Sequence, residues 1–337
     1  MAWKRVVVSW VAGLVVGLSA ATASSADLPK IRIGWIAAPG QLVAIMFDPP
    51  GVAKHRGVTY DWEAIHFQAS PNQITSLASG DLDIATLGYS SVTIAIENAH
   101  LNDLRIIADE FQNGAKGYFS TQFSVLKDSP IQKIEDLKGK VVATNGIGAG
   151  VHILMAGGLK KHGLLDKRDY STIEVSFANM RSVLAEHKAD LITNTLPFVY
   201  SPEMQAIARP LFDANEAFEA VPLSFFTARA GYIEKNRAAL TDMLEDYVRT
   251  IRWYMDPANH KAAVEIVSKF FKAPPENFDS WLFTKKDWYR NLDAIPDFDA
   301  MQKAIDGQRD LGFIKSSPDV KKFADLRMVK EAAARIK

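Results

Sequence analysis

Short β-type runs alternate with amphipathic helical patterns along the chain. That order specifies an α/β fold with mostly parallel strands. The pattern predicts strands at 31–36, 59–67, 82–87 and 104–108. Between them it predicts a short helix at 71–78 stopped by Gly80 and another opening at 92–96. A second series starts near 123–126. It continues through a helical turn at 134–137, a strand at 140–144, a helix at 151–162 ended by Gly163, a strand at 173–177, a helix at 180–187 and a strand at 190–194. Residues 197–208 read as helix, with Pro197 in the first turn, where its missing N–H costs nothing. Beyond Tyr232 the apolar spacing of Leu240, Leu244, Val248, Ile251 and Trp253 is helical. The chain has no repeat and no long Gly/Ser linker, so the two α/β units are expected to be joined by strands or short loops. A cleft between them is a favoured place for a small ligand.

The first 26 residues change the compartment. Lys4 and Arg5 precede an apolar run, and small residues end at Ala26, the arrangement of a secretory signal peptide cleaved after Ala26. The run is short of the roughly 20 apolar residues that cross a bilayer, so the mature protein is expected to be soluble and exported. Without Lys4 and Arg5 the 39 basic residues become 37 against 39 acidic, formally −2. That balance gives no electrostatic reason to expect nucleic acid or an anionic membrane as partner. The chain has no cysteine. Disulfides, thiol nucleophiles, cysteine metal sites and a bacterial lipid anchor are thereby excluded.

Three segments carry candidate chemistry, each at the end of an expected strand, where open α/β sheets place their ligands. In the first, 82–87 runs into Gly88-Tyr89-Ser90-Ser91. Ser90 or Ser91 suits a helix N-cap, and the free amides of a helix start suit an anion. Asp81 and Asp83 look like a carboxylate pair, although Asp81 after Gly80 reads as a turn residue. The second, Asn145-Gly146-Ile147-Gly148-Ala149-Gly150-Val151-His152, lets a ligand approach the backbone closely. Its G-x-G-x-G spacing is not the dinucleotide pattern, and no phosphate-binding P-loop occurs. His152 is placed to donate to an anion or stack on a ring; a partly exposed first-turn position is the other reading. In the third, Asn194 and Thr195 precede Pro197 as cleft contacts or as an ordinary turn. Trp35 and Gln41, at the end of the first strand, would join the same cleft, with Trp35 either wall or core. Arg181, Arg229 and Lys116 are surface-type cations that could meet a charged ligand. The seven histidines show no H-E-x-x-H metal spacing, and no G-x-S-x-G elbow is present. No cofactor or metal is expected.

The segment 77–88, Leu-Ala-Ser-Gly-Asp-Leu-Asp-Ile-Ala-Thr-Leu-Gly, followed by hydroxyl residues, resembles the hallmark of periplasmic substrate-binding proteins of nitrate/sulfonate/taurine-type ABC transporters. Residues 127–131 and 134–143 resemble the same family's entry into its second lobe. The resemblance runs in order over nearly all of the mature chain. It implies a type II periplasmic-binding-protein fold, two α/β lobes joined by a hinge with a ligand cleft between them. Lobe one would hold 27–122 and 226–337, with the C-terminal helices, and lobe two 123–225. It further implies a small organic anion gripped by the loop after the first strand, Gly88–Ser91, the 145–152 loop and 194–197, delivery to an inner-membrane permease, and a monomer. Related sequences often carry a Trp near Thr195 or Leu196, and a small residue in place of Tyr89. Those departures, with Phe111, Tyr118, Phe119, Phe225 and Phe226, leave room for a larger or aromatic carboxylate or sulfonate rather than taurine. Relatives also include enzymes, but they rely on cysteine chemistry that this chain lacks. A ligand-binding partner of a sensor kinase shares every binding feature.

Overall fold

The computed structural model describes residues 28–336; the expected export signal at 1–26 lies outside them. Apolar alternation and β-branched residues build β1 (Lys30–Trp35) and β2 (Asp61–His66). Next come α1 (Ser70–Ser79), β3 (Ile84–Leu87), α2 (Tyr89–Glu97) and β4 (Leu104–Asn113). Gly80 ends α1 at φ +83°, a left-handed cap that a Cβ would strain. The second series is β5 (Gln122–Leu126), β6 (Lys140–Thr144), α3 (Gly150–Lys161), β7 (Tyr170–Glu174), α4 (Met180–Ala185), β8 (Leu191–Asn194), α5 (Pro202–Ile207) and β9 (Ala208–Asp213). The chain then returns through β10 (Val221–Arg229) to α6 (Ala230–Met255), α7 (His260–Phe271), α8 (Glu276–Asp279), α9 (Phe298–Asp310) and α10 (Arg327–Arg335).

The strands form two five-stranded sheets of one design, in the orders β2-β1-β3-β10-β4 and β7-β6-β8-β5-β9. In the first, β10 runs antiparallel to β3 and β4; in the second, β5 runs antiparallel to β8 and β9. Each antiparallel strand is the one that has just arrived from the other lobe. The lobes are therefore joined by two crossings, 114–121 and 214–220, the two-lobed α/β architecture of the periplasmic binding proteins. All of β10 lies in the first sheet, so the first lobe resumes at Val221 rather than at 226.

Several expected elements shift. The helix expected over 197–208 divides into a turn at Phe198–Tyr200 and α5, because Pro202 rather than Pro197 opens the helix and Ser201 Oγ caps it from Met204 N at 3.2 Å. Residues 134–137 form a 3₁₀ turn. Helix α2 starts earlier than its serines: Gly88 is the N-cap, its carbonyl accepting from Ser91 N and Val92 N, and neither Ser90 nor Ser91 caps. Asp81 and Asp83 do not act as a pair. Asp81 accepts from Ser79 Oγ at 2.7 Å, whereas buried Asp83 binds Arg32 through both oxygens at 2.7 and 2.8 Å and ties β1 to β3.

One buried carboxylate locks the C-terminal third onto the first sheet. Asp246 in α6 is fully buried. It accepts from the backbone N–H groups of Lys54, His55 and Arg56 at 2.9–3.2 Å and from Tyr60 Oη at 2.9 Å. No helix among the described residues is long and apolar enough to cross a membrane. Replacing Asp246 with Ala leaves four donors without an acceptor, so D246A is expected to cost about 3 kcal/mol or more. Y60F removes one bond and should cost about 1 kcal/mol. Chemical denaturation measures both; equal losses would show that the three amides find other acceptors.

Candidate functional site

The parallel strands of both sheets end at one place, and a hollow of about 60 Å³ lies between those ends. A single water needs roughly 10–15 Å³ on the same measure, so the space admits a compact molecule of several non-hydrogen atoms. The first lobe contributes Ile36, Ala37, Gly40 and Gln41 after β1, Ser70 at the start of α1, Thr86 in β3, Phe111 in β4, Leu223 and Ser224 in β10, and Trp288. The second contributes Asn145 and Ala149–Val151 around the start of α3, Phe177 after β7, and Thr195 and Leu196 after β8. The wall therefore mixes aromatic and aliphatic surface with hydroxyl and amide groups. It holds no Asp, Glu, His, Lys or Arg.

Of the residues singled out in the sequence, Gln41, Asn145, Gly150 and Thr195 come together on this wall. Phe111 joins them, and the residues described next do not, for local reasons. Trp35 packs with His66 and Phe270 at ring distances of 4.5 and 6.1 Å, outside the hollow. Tyr89 is fully buried against Phe218 at 6.0 Å. Gly88 approaches Leu223 so closely that a Cβ would sit 2.8 Å from its carbonyl oxygen. Ser90 Oγ donates to Gly148 O at 3.2 Å, and Ser91 Oγ is buried without a partner. His152 turns back on its own loop: Nδ1 accepts from Gly148 N at 3.1 Å, and burial lowers its pKa and keeps the ring neutral. Asn194 faces away and donates from Nδ2 to Ser124 Oγ at 3.1 Å. Arg229 pairs with Asp103 at 3.0 Å, Lys116 donates to Tyr289 Oη at 2.7 Å, and Arg181 is exposed. Of the five clustered aromatics only Phe111 reaches the hollow, stacked on Trp288 at 4.9 Å; Phe119 supports Trp288 from behind at 4.9 Å.

The lobes touch on several sides of the hollow. Gln68 and Asn145 exchange side-chain-to-backbone bonds across the gap at 3.1 and 3.2 Å. A Cβ on Gly146 would lie 2.5 Å from the Ala69 methyl, and one on Gly150 would lie 2.8 Å from Leu223 Cδ1. Elsewhere Lys160 donates to the Leu311 carbonyl, and Tyr200 Oη donates to Lys286 O at 3.3 Å. Gly146 thus lets its backbone close on the Ala69 methyl where a side chain would hold the lobes apart, whereas Leu223 Cδ1 against Gly150 is the end of a flexible side chain that can turn aside.

Behind the wall lie two buried acids that the sequence reading passed over. Glu110 Oε2 accepts from Ser224 Oγ at 2.5 Å and from Gln41 Nε2 at 3.3 Å. Gln41 Oε1 in turn accepts from the N–H groups of Ile36 and Ala37. Asp109 Oδ2 accepts from Gln112 Nε2 at 3.0 Å. Burial pushes both acids up to about 8. Consecutive acids inside the apolar run of β4 were the available sequence signal. Nothing local marked Trp288, Phe177 or Ser224. Elsewhere His55, Asp242 and Glu245 converge, but Arg335 lies 2.9 Å from Asp242 and Arg249 lies 2.6 Å from Glu245, which makes the group an ion-pair cluster.

Two outcomes follow. Gly146→Val should leave each lobe folded but force them apart, giving a larger radius of gyration by X-ray scattering than the unsubstituted protein; equal radii would contradict the close approach. Second, Asp109 and Glu110 keep protons in the folded state that the unfolded chain, with carboxyl pKa values of about 4, releases. Stability should therefore fall as the pH rises from about 4 to about 8 and level off above. D109N and E110Q should each flatten that fall in calorimetric Tm; unchanged slopes would refute it.

No curated protein matches the sequence. The fold is shared with the alkanesulfonate-binding protein SsuA of Xanthomonas axonopodis pv. citri bound to MOPS, 18% identical over 89% of this chain and 100% of that one, TM-score 0.71. It is shared also with the periplasmic nitrate-binding protein NrtA of Synechocystis PCC 6803, 16% identical over 92% and 90%, TM-score 0.72. The desulfurization enzyme DszB has the same architecture at 14% identity over 92% and 100%, TM-score 0.61. Residues 24–268 match the NMT1-like family, and the chain belongs to that family.

Proposed function

We propose that the protein is a periplasmic solute receptor that closes its two lobes on a small organic anion, a sulfonate or carboxylate, and delivers it to an ABC permease in the inner membrane. The observation that carries this reading is a single hollow walled from both lobes by uncharged donors and by the first turn of α3. The first N–H groups of that helix have no acceptor within it, and its dipole places partial positive charge at the opening. A ligand that touches Thr86 and Ser224 on one side and Asn145, Gly150 and Thr195 on the other favours the closed form over the open one, as population shift requires. Phe111, Phe177 and Trp288 suit an organic body, and the size of the hollow keeps that body compact. Two proteins of the same fold bear the names of anions that they bind, alkanesulfonate and nitrate.

The enzyme on the same fold, DszB, supplies the competing reading. The wall of the hollow has hydroxyls at Ser70, Thr86, Thr195 and Ser224. Ser224 Oγ lies 2.5 Å from Glu110 Oε2, but burial pushes that acid up to about 8, so near neutral pH it already carries a proton and is no base. The chain also has no thiol. A nucleophile without a base within reach is weak, which supports binding without turnover.

A panel of methanesulfonate, nitrate, benzoate and benzenesulfonate tests the proposal by thermal shift. At least one should raise Tm in a concentration-dependent way and be recovered unmodified by mass spectrometry. T195A should weaken that ligand about fivefold, roughly one hydrogen bond of about 1 kcal/mol. Product formation, or no stabilisation by any member, would overturn the receptor reading.

A further inference from the structure

We propose that Glu110 sets the charge class of the ligand: it holds a proton when an anion occupies the hollow and, through Ser224, turns a hydroxyl donor toward that anion. The proposal rests on reading the hollow as an anion site.

Glu110 is placed by an irregularity in the first sheet. The β4–β10 pairing passes from Ser224 opposite Phe111 to Phe225 opposite Asp109, leaving Glu110 as the extra residue. Its side chain is buried, and its Oε1 has no partner. Its Oε2 meets two side chains that themselves line the hollow, Ser224 at 2.5 Å and Gln41 at 3.3 Å. The groups around it supply little compensating charge. Asp109, the preceding residue, is another buried acid, with Oδ1 unpartnered. Tyr247 of α6 donates to the Asp109 carbonyl at 3.4 Å. Arg290 is committed to Asp287 at 3.2 Å and to the carbonyls of Pro39 and Gly40 at 3.1 Å. Asp297, ahead of α9, adds further negative charge near Asp109. From β10 and from the loop after β1 come only the uncharged Ser224 and Gln41.

The two protonation states present different walls. With Glu110 ionised, the Ser224 O–H points inward to the carboxylate, while Gln41 Nε2 donates to Ser224 Oγ at 2.9 Å and, at a longer 3.3 Å, to Glu110 Oε2. The hollow then meets the one Ser224 lone pair that Gln41 leaves open, with an uncompensated negative charge behind it. An anion is repelled by both. With a proton on Oε2 the bond reverses: Glu110 donates to Ser224 Oγ, and the Ser224 hydrogen is free to donate into the hollow. The balance is one proton from solvent to Glu110, with no covalent bond to carbon, nitrogen or sulfur altered. Burial holds the ligand-free acid at about 8, so the linkage is read on the alkaline side of neutrality. Ser224 is the contact residue; Glu110 positions its hydrogen.

The test uses benzoate and methanesulfonate, which stay anionic throughout pH 6–9. Calorimetry on the full mature chain should show affinity falling about tenfold from pH 6 to pH 9, as expected for a required proton with a pKa near 8. Titrations at pH 8 in buffers of different ionisation enthalpy should show proton uptake on binding. In E110Q, whose amide can donate to Ser224 at every pH, the ratio of affinities between pH 6 and pH 9 should stay near one. S224A should weaken binding at pH 6 by about tenfold, a hydrogen bond to a charged group. A wild-type affinity independent of pH overturns the proposal. So does an E110Q profile with the wild-type slope, which assigns the proton to Asp109, and so does an S224A affinity equal to wild type. Proton release, or tighter binding at pH 9, overturns it by showing that an ionised Glu110 faces a cationic ligand group. Failure of both probes to bind wild type and E110Q anywhere in this range removes the anion reading itself.

Discussion

Everything at this site depends on how closely the glycine backbone before α3 can approach the side chains of the first lobe across the gap between the sheets. Gly146 meets Ala69 at a separation that leaves no room for a Cβ, and Gly150 meets the flexible end of Leu223. With a side chain at Gly146, the α3 start would stand away from Thr86 and Ser224, and the hollow would be an open trough. The Gln68–Asn145 exchange of hydrogen bonds then fixes the register of that approach. The lobes also meet through apolar contacts such as Tyr200 on Trp281 at 5.4 Å, and a ligand that touches both lobes adds to these contacts and tips the balance toward the closed form.

The chain topology makes this approach repeatable. Two crossings hold the lobes, and each crossing feeds an antiparallel strand into the sheet it enters. Strand ends from both sheets are thereby carried to one rim. The buried Asp246 and the Arg32–Asp83 pair secure the first lobe away from the rim, so the movable contacts and the stabilising ones occupy different places. Glu110 is the exception: a buried acid set directly behind the wall, where its proton bears on stability and on ligand charge together.

Most strands and helices were legible because their apolar residues kept a clear period. The glycines and Asn145 before α3 declared a loop that a ligand or a second backbone could approach. Three features resisted. β10 is buried on both faces, so its sequence shows no alternation, and Pro222 argues against a strand. β4 runs on to Asn113 because Asp109, Glu110, Gln112 and Asn113 are buried polar residues inside a strand, which a polarity reading takes for its end. Trp288 reaches the hollow from a segment with no regular structure, far from the residues it joins. The serines after Gly88 misled for a simpler reason: Gly88 caps the helix itself, which frees Ser90 to bond across the gap.

The absence of cysteine allows a direct test of the shared, closing site. Exposed Asn72 and Ile147 flank the mouth of the gap, one on each lobe. Spin labels attached through Asn72→Cys and Ile147→Cys report their separation by pulsed electron resonance. The account predicts a broad distance distribution without ligand that shortens and narrows when a stabilising anion is added. A distribution that is the same with and without saturating ligand would contradict it.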